Sequence, residues 1–375
     1  MRIDLVFPVL PPTLDGIGDH TAHLARALSA KGCDVRVCTA QEEWTSLPDV
    51  EVQQAFHRNN RRGFLPLIET VRADPPDWLV LQFEQISYGR WGLNPFVPYA
   101  IHRLQQALPS LGVAVMFHED FMPASSLKFA IMSTWQRLQF RTLGRGADVA
   151  LFSTETRAQK YKSWFPHTSV HHLPVGSNIP RAKASRAHER NRLGISRDSF
   201  VIGLFGSAHP SRLLSHVDAA LCACDSILSD PHVLYIGPDG DRVHDALGAD
   251  PPLTDAGPLP PEQVSRHFAT MDLYLAPFRR GVSTRRGSFL VGLQHGVPTL
   301  STHGEATGPT LARANDKACV LTPSEDRSAF EDSATQLAQD AQRRSRLSQA
   351  GPDFYETHFS WPRLAGHCLE IFDRA

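Results

Sequence analysis

Apolar positions along this chain gather in short, mainly apolar segments, separated by stretches where they recur every three or four residues. In the first half the runs are Ile3 to Phe7, Asp34 to Thr39, Trp78 to Phe83, Val113 to Phe117 and Val149 to Ser153. Each has the length of a buried parallel strand. Between them, Thr21 to Ala30 places Leu24, Ala25 and Leu28 on one helical face and is stopped by Lys31-Gly32. Pro98 to Leu108 is a second amphipathic helix. Strands that alternate with helices of about 10 to 15 residues predict βαβ units and a parallel sheet.

The pattern then breaks. Pro174 to Pro180 has loop chemistry, and Arg181 to Arg192 is strongly charged with few apolar residues, so an interdomain linker is expected there. A second alternating series follows. It has strands at Val201 to Phe205, His232 to Gly237 and Leu273 to Pro277, and helices at Leu213 to Leu228, Glu262 to Thr270 and Phe289 to His295. Gly296 and Pro298 stop the last of these before a further strand. Ser360-Trp361-Pro362 reads as the capped start of a final helix. The expected architecture is two doubly wound α/β domains in tandem, with ligands beyond the carboxyl ends of the strands and a cleft where the domains face each other.

Composition narrows this only slightly. A chain of 375 residues suits two domains, and 42% hydrophobic with 21% charged content is ordinary for a globular protein. The formal net charge of −1 gives no basic field for nucleic acid. No stretch approaches the ~20 apolar residues of a membrane span, although a short amphipathic patch would escape such a count. The six cysteines (Cys33, Cys38, Cys222, Cys224, Cys319, Cys368) lack metal or redox spacing and read as reduced residues of a cytoplasmic protein. The opening Met-Arg-Ile-Asp-Leu-Val-Phe reads as a first strand, not a signal peptide.

Against that neutral background the loop after Leu273 to Pro277 stands out. It holds Arg279, Arg280, Gly281, Ser283, Thr284, Arg285, Arg286, Gly287 and Ser288, just ahead of a helix. Four guanidinium groups, three hydroxyls and a helix N-terminus suit an anion, and a diphosphate is the expected guest. Phe205-Gly206-Ser207-Ala208-His209-Pro210-Ser211-Arg212 repeats the theme after an earlier strand: Gly206 permits close backbone approach and Arg212 can reach a phosphate. Gly237, in Tyr235-Ile236-Gly237-Pro238-Asp239, is expected to border a base pocket, supported by the Gly257-Pro258-Leu259-Pro260 turn and Glu262.

In the first half, Asp15-Gly16-Ile17-Gly18-Asp19-His20-Thr21 joins a strand to a helix. Gly16 and Gly18 can lie under a ligand, but Thr21 replaces the third glycine of a dinucleotide fingerprint. Asp19 reads either as the helix N-cap or as a catalytic carboxylate. His118-Glu119-Asp120 ends another strand, where a histidine can bond a sugar hydroxyl and Glu119 can act as base. Glu84 either faces the ligand or caps the next turn. Tyr88 and Trp91, with Phe96, either stack on an acceptor or belong to the core. No metal-ligand spacing is present and no cofactor is expected.

Together these residues resemble the GT-B-fold glycosyltransferases, more particularly the family-4-like retaining enzymes. The likeness runs through GIGDHT at Gly16 to Thr21, His118-Glu119, FGSAHPSR at Phe205 to Arg212, AGPLPPEQVSRHFATMDLYLAPF and HGVPTLST. It implies two Rossmann-like doubly wound domains facing a central cleft: residues 1–180 for the acceptor, with helix 360–375 packing back on them, and residues 181–359 for a nucleotide-sugar donor. Gly18 resembles the family's glycine under the donor phosphates, and His118 its histidine near the transferred sugar. Arg212 stands where the family usually has a lysine. The family's two glutamates, with seven residues between them, are Ser283 and Val291 here, which weakens the expected grip on ribose. Ser283, Thr284, Arg285, Arg286, Gly287 and Ser288 match instead a Ser-x-Arg-x-Gly-Ser loop of some relatives.

The resemblance implies sugar transfer from a UDP- or GDP-linked donor, with retention and without an essential metal. The acceptor is a small molecule, a glycan or a lipid-linked sugar, and a homodimer is compatible with it. Two alternatives are a nucleotide-sugar epimerase and a catalytically degenerate binding protein.

Overall fold

A computed structural model describes residues 1–58, 63–248 and 252–375. The chain divides into two units, Met1–Val175 with Trp361–Ala375, and Gly176–Ser360.

The first unit carries seven strands: β1 (Arg2–Val6), β2 (Asp34–Thr39), β3 (Glu51–Gln54), β4 (Trp78–Phe83), β5 (Gly112–Phe117), β6 (Val149–Phe152) and β7 (Ser169–His172). They form one parallel sheet in the order β3-β2-β1-β4-β5-β6-β7. Leu5 lies opposite Val37 on one side and Val80 on the other, so the apolar runs stack across the sheet centre. The edge strands β3 (EVQQ) and β7 (SVHH) are mostly polar and only partly buried, which is why hydrophobic patterning does not announce them.

The Gly16–Ser29 helix starts earlier than its apolar stripe suggests. Asp15, not Asp19, is the N-cap: its carboxylate accepts from the N–H of Ile17 at 2.9 Å and of Gly18 at 2.8 Å. Asp19 sits inside the first turn. A Cβ at Gly18 would stand 2.6 Å from the Val9 carbonyl oxygen, so glycine lets this turn lie against the chain leaving β1. The closing Trp361–Phe372 helix gives Leu364, Ala365, Cys368, Ile371 and Phe372 to the core of this unit, and Phe372 stacks on Trp78 at 4.3 Å.

The second unit carries β8 (Phe200–Phe205), β9 (Pro231–Ile236), β10 (Leu253–Asp255), β11 (Leu273–Ala276), β12 (Thr299–His303) and β13 (Val320–Pro323). They are parallel, in the order β10-β9-β8-β11-β12-β13. The charged stretch expected as a linker is instead anchored in this unit. Residues Arg186–Arg192 form a helix, and Arg190 is buried, donating to the carbonyls of Thr270 and Ser199 and to Asp272 Oδ2 at 2.6 Å. Charge density misleads here because one guanidinium satisfies several buried acceptors at once.

Each sheet reverses its winding once, between β1 and β4 and between β8 and β11. Loops leaving adjacent strands at such a switch point diverge and leave room for a ligand. All six cysteines are free, and Cys222 is exposed. No described helix is long and apolar enough to cross a membrane.

Candidate functional site

In the second unit, the two arginine-bearing loops leave β8 and β11, the strands that flank the switch point. They meet on Phe278, the first aromatic residue after β11. Arg212 lies over one part of its ring at 4.8 Å and Arg286 at 4.7 Å. Backbone pairing between Arg212 and Phe278 fastens one loop to the other. Arg212 also donates to the Phe205 carbonyl and to Ser288 Oγ at 3.2 Å, and Arg286 donates to Ser211 Oγ at 3.2 Å. Phe278 is itself fixed from below, its N–H bonded to Thr302 Oγ1 at 2.8 Å. The partners of Arg212 are neutral, so its charge stays available to an anion.

The arginine loop ends at Arg286, the N-cap of the Gly287–Gln294 helix, and no side chain caps that helix. Its first N–H groups and dipole therefore favour negative charge beside the two guanidiniums. Gly281 has φ +78°, and a Cβ there would lie 2.2 Å from the Gly304 nitrogen, so only glycine turns the loop back. Ser283 and Thr284 are buried, while Arg285, Gly287 and Ser288 are partly exposed. Burial lowers the pKa of Arg285 from the usual arginine range. It is Arg286, not Arg285, that shares Phe278 with Arg212.

Val291 lies on the buried face of the same helix. Neither it nor Ser283 offers a carboxylate to a ribose. The β8 loop is braced from β9: Tyr235 donates its hydroxyl to the Gly206 carbonyl at 3.1 Å, and Asp239 accepts from the Ala208 N–H at 2.8 Å. Gly206 has φ +93°, and Gly237 packs so tightly that a Cβ would stand 2.3 Å from the Tyr235 hydroxyl. Ser207 is exposed at the tip. A cavity of about 20 Å³ under this loop, lined by Gly206, Arg212 and Tyr235 among others, holds no more than a water.

In the first unit, His118 directly follows β5, the strand next to β4 of the β1/β4 switch point. Its ring Nε2 is 2.7 Å from Gln82 Oε1. An amide oxygen only accepts, so Nε2 carries the proton and Nδ1 keeps its lone pair. Burial, reinforced by His20 and Arg157, holds the His118 pKa well below its usual value, so the ring is neutral. His20 stands edge-on to it at 5.1 Å, and burial lowers the His20 pKa to about 3. Arg157 ties down the acidic residues that follow, reaching Glu119 at 2.8 Å and Asp120 at 3.1 Å.

The sequence leaves two readings open for Tyr88 and two for Glu84, and the structure gives each its surroundings. Tyr88 is in the core, stacked on Phe83 and Phe56, with its hydroxyl 2.9 Å from the Val6 carbonyl and 2.8 Å from that of Gln82. It has no free face for a ligand. Glu84 caps its own turn, Oε2 accepting from the N–H groups of Ile86 and Ser87. Trp91 is half exposed. Phe278, Gln82, Arg157 and His20 were not singled out from sequence. Phe278 had a readable signal, an aromatic directly before an arginine pair. The others are brought to their partners only by folding, across sequence separations of 36 for Gln82 and 38 for Arg157. Among the described residues no group of three or more His, Cys, Asp or Glu is placed to hold a metal ion.

The two parallel-sheet Rossmann-like domains are those of the GT-B fold. Solved structures carry the comparison. The sucrose-phosphate synthase of Thermosynechococcus elongatus superposes with a TM-score of 0.74 at 14% identity, over 100% of this chain and 98% of that one. A glycosyltransferase from Rickettsia africae gives 0.72 at 12% identity, covering 100% and 98%. Anabaena HepE in complex with UDP-glucose gives 0.70 at 13% identity, covering all of both chains. No family model and no curated protein matches the sequence.

Proposed function

We propose that this chain is a glycosyltransferase that takes a sugar from a nucleoside-diphosphate donor and passes it, with retention, to a hydroxyl-bearing acceptor. The carrying observation is the Arg212–Phe278–Arg286 arrangement at the switch point of the 176–360 unit, beside an uncapped helix N-terminus. In the transfer, the bond from the sugar's anomeric carbon to the diphosphate breaks, one to the acceptor oxygen forms, and the proton of the acceptor hydroxyl leaves with the departing nucleoside diphosphate. Negative charge grows on the diphosphate, and fixed cations and N–H groups stabilise it without reorganising. Ser283, Thr284, Arg285, Gly287 and Ser288 are the further donor residues, with Gly206, Ser207 and Gly237 setting the loops beside them. Gly16 and Gly18 are proposed to lie near the donor from the 1–175 unit. Neutral His118 accepts a hydrogen bond from a sugar hydroxyl through Nδ1, with Asp19 and Glu119 as the nearby carboxylates. Trp91 is proposed to stack on the acceptor. HepE, solved with UDP-glucose, supports a nucleotide-sugar donor.

A thermal-shift screen of UDP-, GDP-, ADP- and dTDP-sugars tests this reading. One donor class should raise the unfolding temperature, as a ligand at 100 times its Kd adds ~2.7 kcal/mol. No shift with any of them contradicts it. Isomerisation of the donor alone would point to an epimerase, and NMR of the product anomer tests retention.

A further inference from the structure

The first unit has a face on which, of the residues proposed for the reaction, Trp91 alone lies. From Gln85 to Ala147 the cations are Arg90, Arg103, Lys128, Arg137, Arg141 and Arg145, while the only carboxylates are Glu119 and Asp120. Both are held by Arg157, and Asp120 also by Lys160. In a chain of net charge −1 this is a strong local excess of positive charge.

The same segment is unusually apolar outside. The Leu127–Gly146 helix turns Met132, Phe140 and Leu143 into the core, yet Leu127 is 80% exposed, Leu138 66% and Ile131 52%. These three recur at helical spacing along its outer side. Trp135, Trp164, Arg137 and Arg141 complete a groove of about 760 Å³ around Ile131 and Leu138. The cations lie along aromatic rings: Arg137 over Phe121 at 4.6 Å and Arg141 over Trp164 at 5.4 Å.

Trp91 is held at this face by a strained turn. Its φ of 60° is unfavourable for a bulky side chain. The helix overcomes that strain with hydrogen bonds from Trp135 and Gln136 to the Trp91 carbonyl and from Gln139 to that of Gly92. Half exposed, the indole stands beside Lys128 at 5.6 Å.

We infer that the outer face of the Leu127–Gly146 helix, with Trp91 beside it, docks on an anionic lipid bilayer. Large apolar side chains flanked by arginines, with no carboxylate on the helix, match an interface where aliphatic groups enter the acyl boundary and guanidiniums meet lipid phosphates. Self-association through this face fits poorly, because a two-fold axis would set the same cations against each other. The inference shares only Trp91 with the proposed sugar transfer, and the variants that test it leave Trp91 unchanged.

The test is flotation of the full chain with vesicles of phosphatidylcholine alone, or of an equal mixture with phosphatidylglycerol, at low and high salt. The wild type should float with the mixed vesicles and not with the neutral ones, and high salt should weaken binding. The double variant Arg137→Gln, Arg141→Gln should lose about tenfold or more in partitioning. Leu127→Ser with Leu138→Ser should lose binding while keeping its circular dichroism and melting temperature, since both side chains point outward. Equal recovery with both vesicle types, wild-type binding by folded variants, or a dimer through this face that ignores vesicles would each overturn the inference.

Discussion

Phe278 decides where two cations stand. Without its ring, Arg212 and Arg286 would be long flexible side chains on separate loops, each losing rotamer freedom when it met an anion. Packed on the same ring at 4.8 and 4.7 Å, they are ordered in advance. The histidines tell a different residue-scale story. Burial lowers His20 to about 3 and His172 and His295 to about 4, and it holds His118 well below its usual value. All four stay neutral in the fold, while the unfolded chain takes up protons near pH 6.5. Above pH 6.5 the rings are neutral in both states and contribute nothing to the balance; as pH falls below it the unfolded chain takes up protons that the fold does not, which destabilises the fold. Asp4, raised to about 6 chiefly by burial, acts in the opposite direction, since the fold holds its proton between about pH 4 and 6. Four groups outweigh one, so urea unfolding should give a clearly lower midpoint at about pH 5 than at about pH 7.5. Equal or greater stability in acid would contradict the buried neutral rings.

At the scale of elements, the arginine loop depends on Gly281. Gly281→Ala places a Cβ 2.2 Å from the Gly304 nitrogen at φ +78°, a clash with backbone that no rotamer relieves. It should cost about 1–3 kcal/mol and weaken nucleotide binding together with stability. A fully stable variant in denaturant titration would show that the turn tolerates a side chain. The central strands were legible because they are short and mainly apolar or alternate apolar with polar residues: β2 and β4 lie where the pattern places them. Edge strands such as β3 and β7, and helices such as Leu127–Gly146, were not legible. Their apolar faces are interrupted by polar residues or turned outward, so no single period dominates. The candidate site divides in the same way. Arginines, glycines and hydroxyls in one loop announce an anion locally. Which arginine faces Arg212, and that Tyr88 is enclosed, follow from packing that sequence spacing does not encode.

At the scale of the molecule, the last helix makes the first unit discontinuous in sequence. Phe372 fills the sheet face against Trp78, and Phe372→Ala should remove about 3–5 kcal/mol from that unit. Calorimetry should then show a transition that moves down and a second, belonging to residues 176–360, that stays in place. A single transition shifted as a whole would mean that the two units unfold together. The division of labour proposed for them rests on the diphosphate site in the second. Titration calorimetry of the best donor's nucleoside diphosphate, on wild type and on folded Arg212→Ala and Arg286→Ala variants, addresses it directly. The account predicts that the wild type binds, that the nucleoside without phosphates binds far more weakly, and that each substitution lowers affinity by about tenfold or more. Undiminished binding in both folded variants would place the anion elsewhere and contradict it.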